Sequence, residues 1–247
     1  MTSAPLFHLC PYRFTDDPPG MIALLRAVGL RTVVSGPADR FAVLAGRHGR
    51  IGVHDTATAG PDNRVVSTSL GFETPDAERA ADHLRSRGLQ VDLIDEAYGR
   101  RLEVRDTSGR TTWINEEMHD LYGYRPGPAA DTTVATAVDV VAVWFTDDPA
   151  GITDCLGHFG FSPAPNGPED ASTTWRELRS AGGVVGLHRR THQPVDGAEL
   201  GFSSEESLPT VVERLQDAGF DDAALVAEGS YVVVTDPDGR RIEIHPA

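Results

Sequence analysis

The feature that most constrains this chain is an internal repeat. Phe14-Thr15-Asp16-Asp17-Pro18 returns 131 residues later as Phe145-Thr146-Asp147-Asp148-Pro149. Ile51-Gly52-Val53-His54 is matched by Val185-Gly186-Leu187-His188, and Leu70-Gly71-Phe72 by Leu200-Gly201-Phe202. Asp106-Thr107-Ser108-Gly109-Arg110 is matched by Asp236-Pro237-Asp238-Gly239-Arg240. Four anchors in one order at nearly one spacing identify a duplication, so one architecture must be built twice.

Within each copy the hydrophobic period alternates between two and 3.6, which predicts strand, helix and three strands, then the same series again. In the second copy Val138 to Phe145 reads as a strand. A Thr/Asp cap with Pro149 opens a helix from Ala150 to Phe159, closed by Gly160. Strands follow at Thr174–Leu178, Gly183–His188 and Glu199–Phe202. A second helix runs from about Ser204 to Gly219, and a hairpin pairs Tyr231–Thr235 with Arg240–His245 across Asp236-Pro237-Asp238-Gly239. The first copy places its helices near Pro18–Val28 and Pro75–Arg87. The expected division is a first domain over residues 1–118, a linker over 119–132 rich in glycine and proline, and a second domain over 133–247.

The formal charge of −15 and scattered arginines argue against nucleic acid as a partner. All 22 basic residues are arginine, which excludes chemistry that needs a lysine amine, including Schiff bases and phosphate-loop lysines. Cys10 and Cys155 stand alone, so each is expected to be a small buried residue and not part of a zinc or disulfide framework. With no apolar run long enough for a membrane span and no signal-like start, a cytoplasmic protein is expected.

The closing segment Val232-Val233-Val234-Thr235-Asp236-Pro237-Asp238-Gly239-Arg240-Arg241-Ile242-Glu243-Ile244, together with the doubled βαβββ order, resembles the vicinal oxygen chelate superfamily, which includes glyoxalases, bleomycin-resistance proteins and extradiol dioxygenases. The resemblance covers nearly all the chain and implies an α+β fold: two tandem domains, each of paired βαβββ modules whose mixed sheet curves around a cavity. It implies metal-ligand positions at Val140, Glu199 and Glu243, the first without a donor. The first-domain counterparts Leu9, Ser69 and Trp113 are not metal ligands.

Strand parity assigns the faces. In the second cavity it directs Val140, Ala142 and Trp144, then Trp175, Glu177, His188, Glu199, Tyr231, Arg241, Glu243 and His245 inward, with Ile242 and Ile244 toward helices. Three readings of Glu199 and Glu243 stand open: a metal site completed by His188, metal-free acid, base or acceptor roles, or hydrated remnants. In the first domain His54, Arg101 and Trp113 are candidate ligand contacts. His54 matches His188 in the repeat, which fits a functional or a structural demand alike. Arg101, Glu103 and Arg105 alternating on one strand suit a solvated face, whereas on an enclosed one Arg101 and Glu103 could bind a polar ligand. His8 is expected to be packed or partly exposed. The function expected is that of a glyoxalase- or bleomycin-resistance-like protein, sequestering or transforming a small organic molecule in the second cavity without a complete metal site or any cofactor. The alternative is a divalent-metal-dependent lyase, isomerase or dioxygenase. Either a monomer or a homodimer fits a duplicated chain.

Overall fold

A computed structural model describes residues 5–60, 63–96, 99–106, 109–118, 121, 123–127, 136–165, 175–190 and 197–247. Its elements fall into four βαβββ modules. Module one holds β1 (His8–Leu9), β2 (Tyr12–Thr15), α1 (Pro18–Val28), β3 (Arg31–Ser35), β4 (Phe41–Ala45) and β5 (Arg50–Asp55). Module two holds β6 (Ser67–Ser69), β7 (Phe72–Thr74), α2 (Ala77–Ser86), β8 (Gln90–Glu96), β9 (Gly99–Arg105) and β10 (Thr111–Glu116). A short β11 (Arg125–Pro126) follows and pairs with β3, so the described part of the predicted linker extends a sheet; residues 119, 120, 122 and 128–132 of that linker lie outside the described residues. Module three comprises β12 (Val138–Thr146), α3 (Pro149–Gly157), β13 (Ser162–Pro163), β14 (Trp175–Ser180) and β15 (Gly183–Arg189). Module four comprises β16 (Gly197–Ser204), α4 (Leu208–Asp217), β17 (Ala224–Val226), β18 (Tyr231–Thr235) and β19 (Arg241–Pro246).

The repeated Thr-Asp-Asp-Pro motif is a helix start. Asp17 and Asp148 cap α1 and α3 by accepting from the Gly20 and Gly151 amides at 3.0 and 2.9 Å. Pro18 and Pro149 occupy the first turn, where a missing N–H costs nothing. Each cap carboxylate packs closely on its glycine, so a side chain at Gly20 or Gly151 would push the cap aside. The predicted fourth helix began too early: Ser204 still belongs to β16, and Ser207 is the residue that caps α4. Thr174, the first residue of another predicted strand, lies outside the described residues.

The second half forms one eight-stranded sheet in the order β13-β14-β15-β12-β16-β19-β18-β17. The first half has the same order with two breaks. Cys10-Pro11 separates β1 from β2 and Leu70-Gly71 separates β6 from β7, dividing it into β11-β3-β4-β5-β2-β6 and β1-β7-β10-β9-β8. Pro11 has no N–H for the ladder, so a break there is expected.

Neither half owns its core. One buried cluster joins α1, β4 and β5 to Val138, Val140, α4 and the outer faces of β16, β18 and β19. The other joins Phe72, α2, β9 and Ile114 to Ala142, α3, Leu178, Val185 and Leu187. Arg214 of α4 ties the first cluster further by donating to the Ala27 and Val28 carbonyls at the end of α1, both at 2.7 Å.

Candidate functional site

The concave face of the second sheet encloses a cavity of about 700 Å³. Three aromatic rings form one end: His188 lies 5.3 Å from Phe145 and 6.3 Å from Trp175 between ring centroids. They meet because Trp175 is opposite His188 in the β14–β15 pair and Phe145 is opposite it in the β12–β15 pair. The outer edge of the Trp175 ring also lies over Gly186, leaving no room for a Cβ there. His188 is oriented by a 2.8 Å bond between Nδ1 and the Arg189 carbonyl. The floor is Val143 opposite Glu199 and Val141 opposite Gly201, and Gly201 is in turn opposite Glu243.

Each of the three wall carboxylates has a cationic partner. Glu177 pairs with Arg179, Glu199 with Arg240 at 3.4 Å, and Glu243 with Arg241 at 3.2 Å and His245 at 3.1 Å. Tyr231 stacks on His245 with centroids 4.8 Å apart, and its hydroxyl accepts from Arg241 at 3.0 Å. The inward positions expected for Trp175, Glu177, His188, Glu199, Arg241, Glu243 and His245 are those observed. Tyr231 shares their face, beside the cavity.

The first strand corrects the expectation. Val140 and Ala142 lie in the two cores and Trp144 packs against the second, so Val141, Val143 and Phe145 face the cavity instead. Trp144 turns toward the other half, where the Arg110 guanidinium sits 5.8 Å from its ring. Val138 to Phe145 is apolar on both faces apart from Asp139, and such a strand carries no alternation from which its facing can be read. Val140 is consequently not a cavity position at all.

The donors on the concave face suit a divalent ion poorly. Gly201 and Val141, which share the register of Glu243, offer no ligand atom, and Glu199 and Glu243 are already engaged by arginine. Among the described residues no group of three or more His, Cys, Asp or Glu side chains is close enough to hold a metal.

The first half bends into a second cup, which a side chain of its central strand divides in two. Tyr12 occupies the place of Val143, and its ring lies between Gly52 and Gly71, within 2.6 and 3.3 Å of where a Cβ would stand on each. Its hydroxyl accepts from Asn115 Nδ2 at 2.7 Å. The ring divides the hollow into spaces of about 250 and 400 Å³, and His54 borders both. Arg101 and Trp113 line the larger one, with the guanidinium 4.7 Å from the indole, and Trp113 stays exposed at its edge. Arg105 and Glu103 pair at 2.6 Å near the exposed end of the strand.

Behind Tyr12 lies a buried polar cluster. Arg50 bridges Glu73 at 2.8 Å and Glu117 at 3.0 Å. Burial pushes the Glu73 carboxyl up despite Arg50, and burial likewise raises the Cys10 thiol and the Tyr12 phenol. Burial, reinforced by Arg50, lowers His8 to about 4. Cys10 and Cys155 are both buried free thiols, as expected. The residues that sequence reasoning overlooked are Val141, Val143, Phe145, Arg179 and Ser203 in the open cup and the blocking role of Tyr12. The repeat spacing pairs Tyr12 with Val143 but carries no sign that the ring covers Gly52.

Curved mixed sheets built from paired βαβββ modules, with helices on their outer faces and two such units in one chain, are the fold that the resemblance to the vicinal oxygen chelate superfamily implied. The solved structures that share it with this chain include homoprotocatechuate 2,3-dioxygenase from Brevibacterium fuscum in complex with 3,4-dihydroxyphenylacetate, with a TM-score of 0.60, 16% identity, and coverage of 100% of this chain and 83% of that one. A room-temperature structure of an extradiol ring-cleaving dioxygenase from B. fuscum gives 0.59 and 17%, covering 100% of this chain and 74% of the other. At such identity the likeness shows the fold alone. No family model and no curated protein matches the sequence. No helix among the described residues is long and apolar enough to cross a membrane.

Proposed function

We propose that the cup of the second half binds a small organic molecule, sequestering or transforming it through side chains without a resident metal. The observation that carries this reading is an open cavity of about 700 Å³ with an aromatic end and three carboxylates that are each ion-paired. A volume of that size is typical of small-molecule sites, where a mostly apolar wall supplies affinity and a few polar groups set orientation. Trp175, Phe145 and His188 would pack a planar ring. Glu177, Glu199, Glu243, His245 and Tyr231 would address its polar substituents. On this reading residues 1–118 and 133–247 are the two domains, 119–132 joins them, and the protein acts in the cytoplasm as a monomer or homodimer.

The test is a thermal-shift screen with neutral aromatic compounds of one to three rings, followed by titration. A ligand at 100 times its Kd raises stability by about 2.7 kcal/mol. Hits should be lost in Trp175→Ala, and hits that bind that variant unchanged would refute the assignment of the cup.

A second reading, a metal-dependent enzyme of the dioxygenase type, is favoured by the fold likeness. It would need Glu199, Glu243 and His188 to release their present partners and converge on one ion. Metal analysis of protein purified without chelator decides between the two. A stoichiometric divalent metal that disappears in Glu243→Ala would replace the metal-free reading with this one.

A further inference from the structure

The open cup contains one buried polar group that its own neighbours leave unused. Ser203 lies on β16, on the same face as Glu199 and Gly201, and lines the cavity. It is only 6% exposed, and its Oγ has no hydrogen-bond partner among the described residues. A buried hydroxyl left in this state costs free energy, so an unpaired one at a cavity wall calls for a partner from outside the chain.

The two residues flanking Ser203 in the sheet cannot supply it. Asp139, opposite on β12, is fully committed: Arg47 donates Nε to Oδ1 at 2.9 Å and Nη2 to Oδ2 at 2.6 Å, and His48 contacts Oδ1 through Nδ1 at 2.9 Å and through its backbone amide at 3.2 Å. His245, opposite on β19, directs Nε2 to Glu243 and stacks its ring on Tyr231. The Ser203 hydroxyl therefore keeps both a donor and an acceptor for whatever fills the cup.

Its position sets the shape of that ligand. Along β12 the aromatic end is marked by Phe145 and the Ser203 end by Asp139, six residues away, or about 20 Å of strand. Trp175 reaches one step inward over Gly186, shortening the gap between the ring wall and Ser203. We propose that the cup takes an elongated, uncharged, multi-ring aromatic molecule, its inner ring against Trp175 and a hydroxyl at the far end exchanging a hydrogen bond with Ser203 Oγ. The lack of charge follows from the walls: Glu177, Glu199 and Glu243 are each paired with an arginine, so among the described wall residues neither an anion nor a cation finds a carboxylate or guanidinium free of an opposite charge.

This inference rests on the cup being the binding site, and the experiment separates the two. Flavone and the same molecule hydroxylated at the para position of its phenyl ring are titrated calorimetrically into wild type, Ser203→Ala, Ser203→Thr and Trp175→Ala. Wild type should bind the hydroxylated probe about three- to tenfold more tightly, the range of one net hydrogen bond. Ser203→Ala should bind both probes alike at the flavone affinity, Ser203→Thr should keep the preference, and Trp175→Ala should lose both. If the preference is missing in wild type or persists in Ser203→Ala while Trp175→Ala abolishes binding, the Ser203 contact is wrong and the cup assignment stands. If neither probe binds wild type, both are wrong.

Discussion

The two halves repeat one unit, yet one cup is a single cavity of about 700 Å³ and the other is split into spaces of about 250 and 400 Å³. The difference comes down to which side chain lies over a glycine. Gly52 and Gly186 are equivalent positions at the floor of the two sheets, and each is covered by an aromatic ring. In the second half the cover is Trp175, reaching in from a neighbouring strand, and the central position is Val143. In the first half the cover is Tyr12 from the central strand itself, anchored by Asn115, and the hollow is cut in two. The fold is common to both halves, and they differ in whether a side chain of the central strand crosses the hollow.

The same asymmetry marks the contacts that hold the halves together, where the largest effect is expected. Arg13 of the first half is 2% exposed and binds Asp236 and Asp238 of the hairpin turn in the second, the latter at 2.9 Å. The equivalent of Arg13 is Trp144, and there the turn contributes Arg110 over the indole, about a quarter exposed. Removing one partner of a buried ion pair leaves an uncompensated charge. Arg13→Ala should therefore cost about 3–5 kcal/mol, and Arg110→Ala about 1 kcal/mol. Urea unfolding measures both, and equal costs would show that the two clasps are energetically interchangeable.

A second contrast concerns His8 and Asp139, which occupy matched positions. Folding lowers His8 from 6.5 to about 4, through burial and then Arg50. The unfolded chain thus takes up this proton at a higher pH than the folded one. The stability associated with neutral His8 is complete above about pH 6.5 and is lost as pH falls toward 4, by up to about 3 kcal/mol. Asp139 behaves differently. Burial alone would raise it, but hydrogen bonds from Arg47 and His48 outweigh burial and hold it below the usual carboxylate range. Its contribution is present above that range and disappears only as pH falls through it. Denaturant titrations at pH 7 and pH 5 should show a loss that His8→Gln removes and Asp139→Asn does not. A loss unchanged in His8→Gln would place the titrating group elsewhere.

How far these contrasts could be read from the residues depends on how each strand is buried. Arg241, Glu243 and His245 alternate with Ile242 and Ile244, so one face of β19 announces itself as the cavity wall and the other as core. The helix starts were equally plain, because Asp and Pro at fixed spacing do one job in both copies. In β12, by contrast, core and cup both demand apolar residues, and Trp144 was placed on the wrong face. Arg13 with Asp236 was beyond reach for another reason: the partners are 223 residues apart, and neither carries a local signal. The stopper itself needed the third dimension, since a tyrosine in a strand says nothing of a glycine beside it.

The smallest of the three effects tests the stopper directly. Val143→Tyr places in the undivided cup the residue that divides the other one. Gly201 leaves space beside it, because the nearest atoms to an added Cβ there are 3.6 Å away or more. The ring can settle toward β16 although Trp175 already covers Gly186. Filling the centre removes the volume a ligand needs without burying a charge or breaking the ladder. The variant should therefore keep wild-type folding stability within about 1 kcal/mol, as expected for a tolerated apolar substitution, yet bind aromatic probes on the order of a hundredfold more weakly, about 2.7 kcal/mol. Tyr12→Val is the reciprocal change, joining the spaces of about 250 and 400 Å³ in the first cup. Calorimetry on the pair reads the outcome: undiminished binding by Val143→Tyr would mean that the centre of the second cup is not where the ligand sits, and the difference between the halves would have to lie at their rims.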